Sequence, residues 1–234
     1  MKIFNLFIIF TLYASQLVLA QNDINVIDAK GLKQGVWKKK YDDGKLRYEG
    51  SFLDDKPVGT FRYYYPVIGK ISTIGEYTNK GKQMNATVYH ENGKIKAKGI
   101  YTQEKKDGEW KYFNEEEILI SEEFYIAGKK TGIWKSFYNT GQLASEKTYK
   151  NDKEDGPWKE YFANGKLKLD GKYVNGLIEG TISYFNSEGK LSIRGNYLNN
   201  QREGIWTFYD DSGKVKETKK FVKDRLIEPE GDKK

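Results

Sequence analysis

The sequence predicts an all-β fold, an elongated single antiparallel β-meander of about eight 24-residue hairpin repeats. Three observations predict it. Repeat starts fall at Gly35, Gly59, Met84, Gly108, Gly132, Gly156, Gly180 and Gly204, spaced by 24 residues except for one interval of 25. Two places after each turn-glycine position every copy is aliphatic, and eight places after it every copy is aromatic. Helical patterning, with its 3.6-residue apolar period, is missing from the repeats.

Taken from the N-terminus, residues 1–20 differ from the rest. Met1-Lys2 gives a positive start, Ile3 to Ala14 an apolar stretch and Val18-Leu19-Ala20 a small-residue end, the pattern of a secretory signal peptide cleaved near Ala20. Asn5, Ser15 and Gln16 interrupt a stretch already at the lower limit for spanning a bilayer, which disfavours a retained anchor. Export without a single cysteine fits a bacterial protein of the periplasm, outer surface or medium. It also excludes disulfides, thiol catalysis, thiolate metal sites and a bacterial lipid anchor. Residues 21–34 form a polar N-terminal segment, 35–227 the eight repeats and 228–234 a polar tail; the two polar segments are placed to flank the exposed sheet ends.

Within each repeat the columns assign the strands. Two residues after the start stand Trp37, Phe61, Ala86, Trp110, Trp134, Trp158, Ile182 and Trp206, so all five tryptophans share one register. Five after the start stand Tyr64, Tyr89, Phe113, Phe137, Tyr161, Phe185 and Tyr209, with Lys40 the exception. A first strand of about six residues runs between these columns, a turn follows, and a second strand runs from the aliphatic column to the last aromatic. Asn92-Gly93 and Asn164-Gly165 read as type I′ turns, and polar pairs such as Asn175-Gly176 join one copy to the next. Alternation puts positions two, four, six and eight after the turn glycine on one inner face, in the sixth copy Leu167, Leu169, Gly171 and Tyr173. The glycine of that set recurs as Gly50, Gly75, Gly99 and Gly195 and leaves room for a neighbouring ring. On the first strand the two aromatic columns fall on opposite faces unless a bulge realigns them.

Composition agrees with a thin structure. The chain is 31% charged and 15% aromatic, with a mean hydropathy of −0.78. That is too aromatic for disorder and too polar for a thick core. The net charge of +7 is spread among acids along the whole chain. A nucleic-acid partner is therefore not expected, since such binders concentrate their basic residues on one face.

The pattern Gly-x-Trp-x-x-Tyr-Phe-x-Asn-Gly-Lys, seen at 156–166, followed by Gly171, Tyr173 and Asn175-Gly176, resembles the MORN-repeat variant of bacterial proteins often filed as YwqK-family antitoxin-like. It covers about 190 residues, with Met84, Ala86 and Glu117 as the departures in copies three and four. The resemblance implies an extended sheet of hairpins used for protein or membrane-lipid contact, with no catalytic residues. The antitoxin label fits an exported chain badly.

Sites are few. His90 is the only histidine, so no His pair can bind metal, and its place beside Glu91-Asn92-Gly93 reads as turn surface. The acid pairs Asp42-Asp43 and Asp210-Asp211 fall at turns, where Asp is favoured for its own backbone bonds. Asn151 to Gly156 fails as a calcium loop because Lys153 takes a ligand position and Phe162 stands where the last Glu belongs. Lys45, Lys70, Lys94, Lys166, Lys190 and Lys214 follow the turn glycines and predict a lysine row along one edge, suited to anionic glycans or lipid headgroups or else to solubility. The tryptophan column, Trp37, Trp110, Trp134, Trp158 and Trp206, has packing as its first duty, since the sheet has little else to bury, and is also the candidate exposed aromatic binding column. The expectation is a non-enzymatic scaffold for a protein partner, without cofactor or metal. The alternative is a carbohydrate- or cell-surface-binding module built on the aromatic and lysine columns.

Overall fold

A computed structural model describes residues 23–227; the expected signal peptide and the 228–234 tail lie outside the described residues. The strands are β1 (Val26–Ile27), β2 (Lys33–Lys40), β3 (Leu46–Leu53), β4 (Lys56–Tyr64), β5 (Ile71–Thr78), β6 (Gln83–Tyr89), β7 (Ile95–Thr102), β8 (Lys105–Phe113), β9 (Leu119–Ile126) and β10 (Lys129–Lys130). They continue as β11 (Gly132–Phe137), β12 (Leu143–Lys150), β13 (Lys153–Tyr161), β14 (Leu167–Val174), β15 (Leu177–Ile178), β16 (Gly180–Phe185), β17 (Leu191–Leu198), β18 (Gln201–Tyr209), β19 (Val215–Val222) and β20 (Arg225–Ile227). Each pairs antiparallel with its neighbours in chain order, except that β9 takes both β10 and β11 and β14 takes both β15 and β16, in one open meander. Both short strands β10 and β15 lead into the strand that follows, so the long strands make the eight expected hairpins.

The first strands run seven to nine residues where they are unbroken, not about six, because they begin before the repeat start. This moves the boundary at residue 35: β1 and the beginning of β2 lie within the segment 21–34, and β1 pairs along the edge of β2. At the other end β20 closes the sheet against β19.

The two kinds of turn are reversed from the expectation. At Asn92-Gly93 only the glycine has a positive φ (+87°), and His90 N donates to Lys94 O at 2.8 Å, which closes a three-residue loop. Gly165 likewise stands at +81° without Asn164, whose Oδ1 instead accepts from Lys166 N at 3.1 Å. The type I′ signature, two successive positive φ angles, appears at the links between repeats: Asp54 and Asp55 at 50° and 62°, Asn199 and Asn200 at 52° and 65°. Two residues that join directly paired strands must match the strand twist, whereas a third residue in αL absorbs it.

A register shift precedes the second aromatic column in every hairpin and decides the faces. Tyr112 pairs with Ser121, but the next residue, Phe113, pairs with Leu119, so Ile120 is left over. In the sixth repeat Trp158 faces Gly171 and Glu160 faces Leu169, while Tyr161 faces Leu167. The expected inner set is therefore corrected: Leu169, Gly171 and Tyr173 share the tryptophan side, and the bulge turns Leu167 to the other side with Tyr161. Both faces of the sheet carry aromatics. The core lies on the tryptophan face, in one cluster around Ala86, Ala97, Trp110 and Tyr125 and another around Leu169, Ile182, Trp206 and Phe221.

Candidate functional site

On the tryptophan face, the ring two places after the start lies between last-column aromatics in the second, fifth and eighth repeats. Phe61 sits 5.2 Å from Phe52 and 5.0 Å from Tyr77, and Trp134 sits 5.2 Å from Tyr125 and 4.9 Å from Tyr149. The column glycines make this possible. A Cβ at Gly99 would fall 2.2 Å from the Trp110 ring, and one at Gly195 2.2 Å from the Trp206 ring. Rings stacked this way bury most of the apolar area the sheet has to offer.

The tryptophans do not form an exposed column. Trp110 is 1% and Trp206 4% exposed, and Trp37, Trp134 and Trp158 are half-buried. Their neighbours along the meander cover them, and three indoles also donate to backbone oxygens: Trp37 to Gln34, Trp110 to Ile100 and Trp134 to Phe124, at 3.0–3.1 Å. Cations lie above the rings. Lys33 stands 5.0 Å from the Trp37 centroid, Lys106 4.9 Å from Trp110 and Lys130 4.4 Å from Trp134. Burial pushes the Lys106 ammonium below the usual lysine range, with the charge of Glu123 opposing the shift. The Tyr125 hydroxyl donates to that Glu123 at 2.6 Å, and burial, reinforced by this bond, raises the phenol.

The lysine row at the hairpin edge is exposed, but four of its members brace the next turn. Lys45 donates to Val67 O, Lys70 to Glu91 O at 2.9 Å, Lys166 to Glu188 O at 2.8 Å and Lys190 to Asp211 O at 2.7 Å. A second brace runs beside it: the Tyr41, Tyr65 and Tyr138 hydroxyls donate to the backbone oxygens of Tyr64, Tyr89 and Tyr161. His90 belongs to this second row. It is half-buried, with Nε2 2.9 Å from Phe113 O, so the expected surface histidine is a bracing one. Asp210 caps its own turn, and the Ser212 hydroxyl with the Lys214 N–H holds its carboxyl below the usual range. Among the described residues no cluster of three His, Cys, Asp or Glu could hold a metal ion.

The far face is different. Val36, Ile133 and Ile205 are 38%, 57% and 53% exposed, and Leu53, Ile126 and Leu198 in a parallel column are 59%, 60% and 48% exposed. Each lies one residue from a member of the tryptophan face and so points away from it. These exposed aliphatics escaped the sequence reading because their columns are apolar in only some copies.

The ring column lacks a ring in two repeats: in the seventh the fully buried Ile182 fills the place, and in the third it is left open. In the third repeat Met84 and Ala86 replace Gly and Trp, and a cavity of about 640 Å³ opens there, lined by Pro57, Tyr77, Lys82, Met84, Tyr101 and Gln103 among others.

Residues 33–54, 82–103, 106–127, 130–151, 154–175 and 202–223 match the MORN repeat variant, together more than half of the chain. The chain belongs to this family, whose repeats generally serve protein or membrane contact. The second and seventh repeats, with Phe61 and Ile182 at the tryptophan position, fall between the matched segments, while repeats three and four are matched despite their departures. No curated protein matches the chain. Among solved structures, TarM is similar at 18% identity over 41% of this chain and 19% of that chain, with a TM-score of 0.31. A mutant of S. aureus TarM in complex with fondaparinux, alpha-GlcNAc-glycerol and UDP is similar at 16% identity over 42% and 19%, with a TM-score of 0.32. A TcdB2-TccC3-Cdc42 structure gives 10% identity over 78% of this chain and 12% of that one, with a TM-score of 0.20. The chain thus spans about a fifth of TarM's length, and likeness this loose carries no functional comparison.

Proposed function

We propose that the chain is a non-enzymatic, exported scaffold that binds a protein partner through the far face of its sheet. The observation that carries this reading is the uncovered apolar group Phe124, Ile126 and Ile133 on the adjoining strands β9 and β11, where Phe124 and Ile133 line one shallow recess. A contiguous exposed apolar group rimmed by polar side chains, here Glu109, Glu122 and Lys135, marks a contact surface. The opposite face has already spent its rings on one another, which supports assigning contact to the far side. Export rests on the leader-like residues 1–20, and the YwqK-type assignment is retained only as a relation of architecture. Binding of a glycan through the tryptophans is the weaker reading, because two of the five rings are buried.

The test is crosslinking in bacterial envelope fractions with the full chain and with an Ile126→Asp/Ile133→Asp variant. Both side chains are exposed, so the variant is expected to unfold within about 0.5 kcal/mol of the parent. It is expected to lose the proteins the parent captures; capture of the same set by both would overturn the assignment.

A further inference from the structure

The open place in the ring column, at the third repeat, has the form of a receptor. In the second and fifth repeats a ring of the chain itself lies between two last-column aromatics, Phe61 between Phe52 and Tyr77 and Trp134 between Tyr125 and Tyr149. The third repeat keeps both flanking rings, Tyr77 and Tyr101, and has no ring between them. Its tryptophan position is Ala86, which is 4% exposed and lies beneath its neighbours, while the Met84 thioether takes the ring's place over Gly75, where a Cβ would meet Sδ at 2.4 Å. Met84 pairs across the strands with both tyrosines, and the cavity of about 640 Å³ extends from it to the neighbouring links, along Pro57, Gly81, Lys82, Gln103 and Glu104. Lys82, which lines it, stands two residues before the repeat start, as do Lys106 and Lys130, the lysines that lie over Trp110 and Trp134.

We propose that this cavity is a binding slot for one aromatic side chain, tryptophan or tyrosine, of a partner polypeptide. Electrostatic complementarity selects the occupant: Lys82 supplies a cation for the negative face of a π system, Glu104 an acceptor for an indole N–H or phenol O–H, and Tyr77 and Tyr101 the aromatic walls. Met84 is a floor that adapts its shape and interacts favourably with aromatics. The slot deepens the scaffold reading by adding an anchor on the tryptophan face, so it rests on that reading for its partner but not for its chemistry.

The chain has two methionines, Met1 and Met84, so methyl-labelled methionine gives one reporter inside the slot and one reference outside the described residues. N-acetyl-L-tryptophanamide titrated into the full chain to about 20 mM is expected to shift the Met84 methyl upfield and saturably, with a Kd of roughly 1–10 mM. N-acetyl-L-alaninamide and maltose are expected to leave it in place. Tyr101→Leu should weaken the response several-fold, and Met84→Trp, which fills the slot with a ring of the chain's own, should abolish saturation transfer to the probe. Absence of a saturable shift, or a shift given by maltose alone, overturns the slot. A probe that binds in a chain that captures no envelope protein would instead count against the scaffold, so the two failures are distinguishable.

Discussion

The junctions β7–β8 and β5–β6 solve one problem in two ways. Between β7 and β8 the link is the two-residue turn Gln103-Glu104, and the register then slips: Ile100 faces Asp107 but Lys98 faces Lys111, so β8 carries two extra residues around Gly108. Gly108 stands at φ +72°, and the bulge there lets the Trp110 ring lie over Gly99. Between β5 and β6 the register is unbroken from Thr78–Gln83 to Thr73–Val88, and Met84 needs no positive φ. The two residues missing from the bulge stand in the link, which is four residues long, 79–82. Length per repeat is held, while its distribution between loop and bulge is free. What changes with that distribution is whether a ring can be seated.

The largest effect should come from the ring itself. Trp110→Ala is expected to destabilise the sheet by about 3–5 kcal/mol, because a buried indole and its edge contact with Tyr101 are both lost. Chemical unfolding followed by circular dichroism measures this. A loss under about 1 kcal/mol would mean that the regular junction depends on its ring no more than the third repeat does.

Next in size is the pair Gly99→Ala and Gly75→Ala. At Gly99 the added methyl meets a rigid indole at 2.2 Å, and at Gly75 it meets the flexible end of Met84 at 2.4 Å. Overpacking against the fixed ring should cost about 1–3 kcal/mol, and against the thioether less than about 1. Equal losses in the same unfolding experiment would remove the distinction drawn between the junctions.

Most of the architecture was legible because period two and period 24 reinforce each other through eight copies. The faces were not. Alternation alone kept Leu167 with Leu169, and only the pairing of Tyr161 with Leu167 shows the slip that separates them. Turn chemistry misled for a related reason: Asn-Gly is the strongest short-range signal for a type I′ turn, yet Asn164-Gly165 closes a three-residue loop. The glycine column was read as space for a ring, and Gly99 beneath Trp110 bears this out, but that the ring belongs to the following repeat is a fact of strand order. Of the two readings of the tryptophans, packing and exposure, the burial favours packing: Trp134 lies between Tyr125 and Tyr149, which reach it only once the strands pair.

A smaller effect tests the braces. The fifth repeat has Tyr138 donating to Tyr161 O at 2.7 Å, and the sixth has Phe162 at the same place, with no hydroxyl to give. Tyr138→Phe is expected to cost about 1 kcal/mol, the usual net worth of a partly buried hydrogen bond. A thermal scan that finds no change would make the hydroxyl row incidental to the contact between hairpins.

The smallest effect is one of pH and separates the second repeat from the fourth. The Tyr64 hydroxyl donates to Glu49 at 2.7 Å; this bond holds the Glu49 carboxyl below its usual range, and burial chiefly pushes Tyr64 up to about 12 from 10.0. Phe113 stands at the equivalent place in the fourth repeat and forms no such pair. A depressed carboxyl contributes stability that is present above its unfolded pKa, ordinarily 4.5, and is lost as pH falls through the folded value. A raised phenol contributes stability that is complete below 10.0 and is lost as pH climbs toward 12. Tyr64→Phe should therefore reduce stability between the two limbs and flatten both, whereas Phe113→Leu should lower the curve without altering its shape. Parallel curves for the two variants would show that the pair adds nothing beyond the packing of its ring.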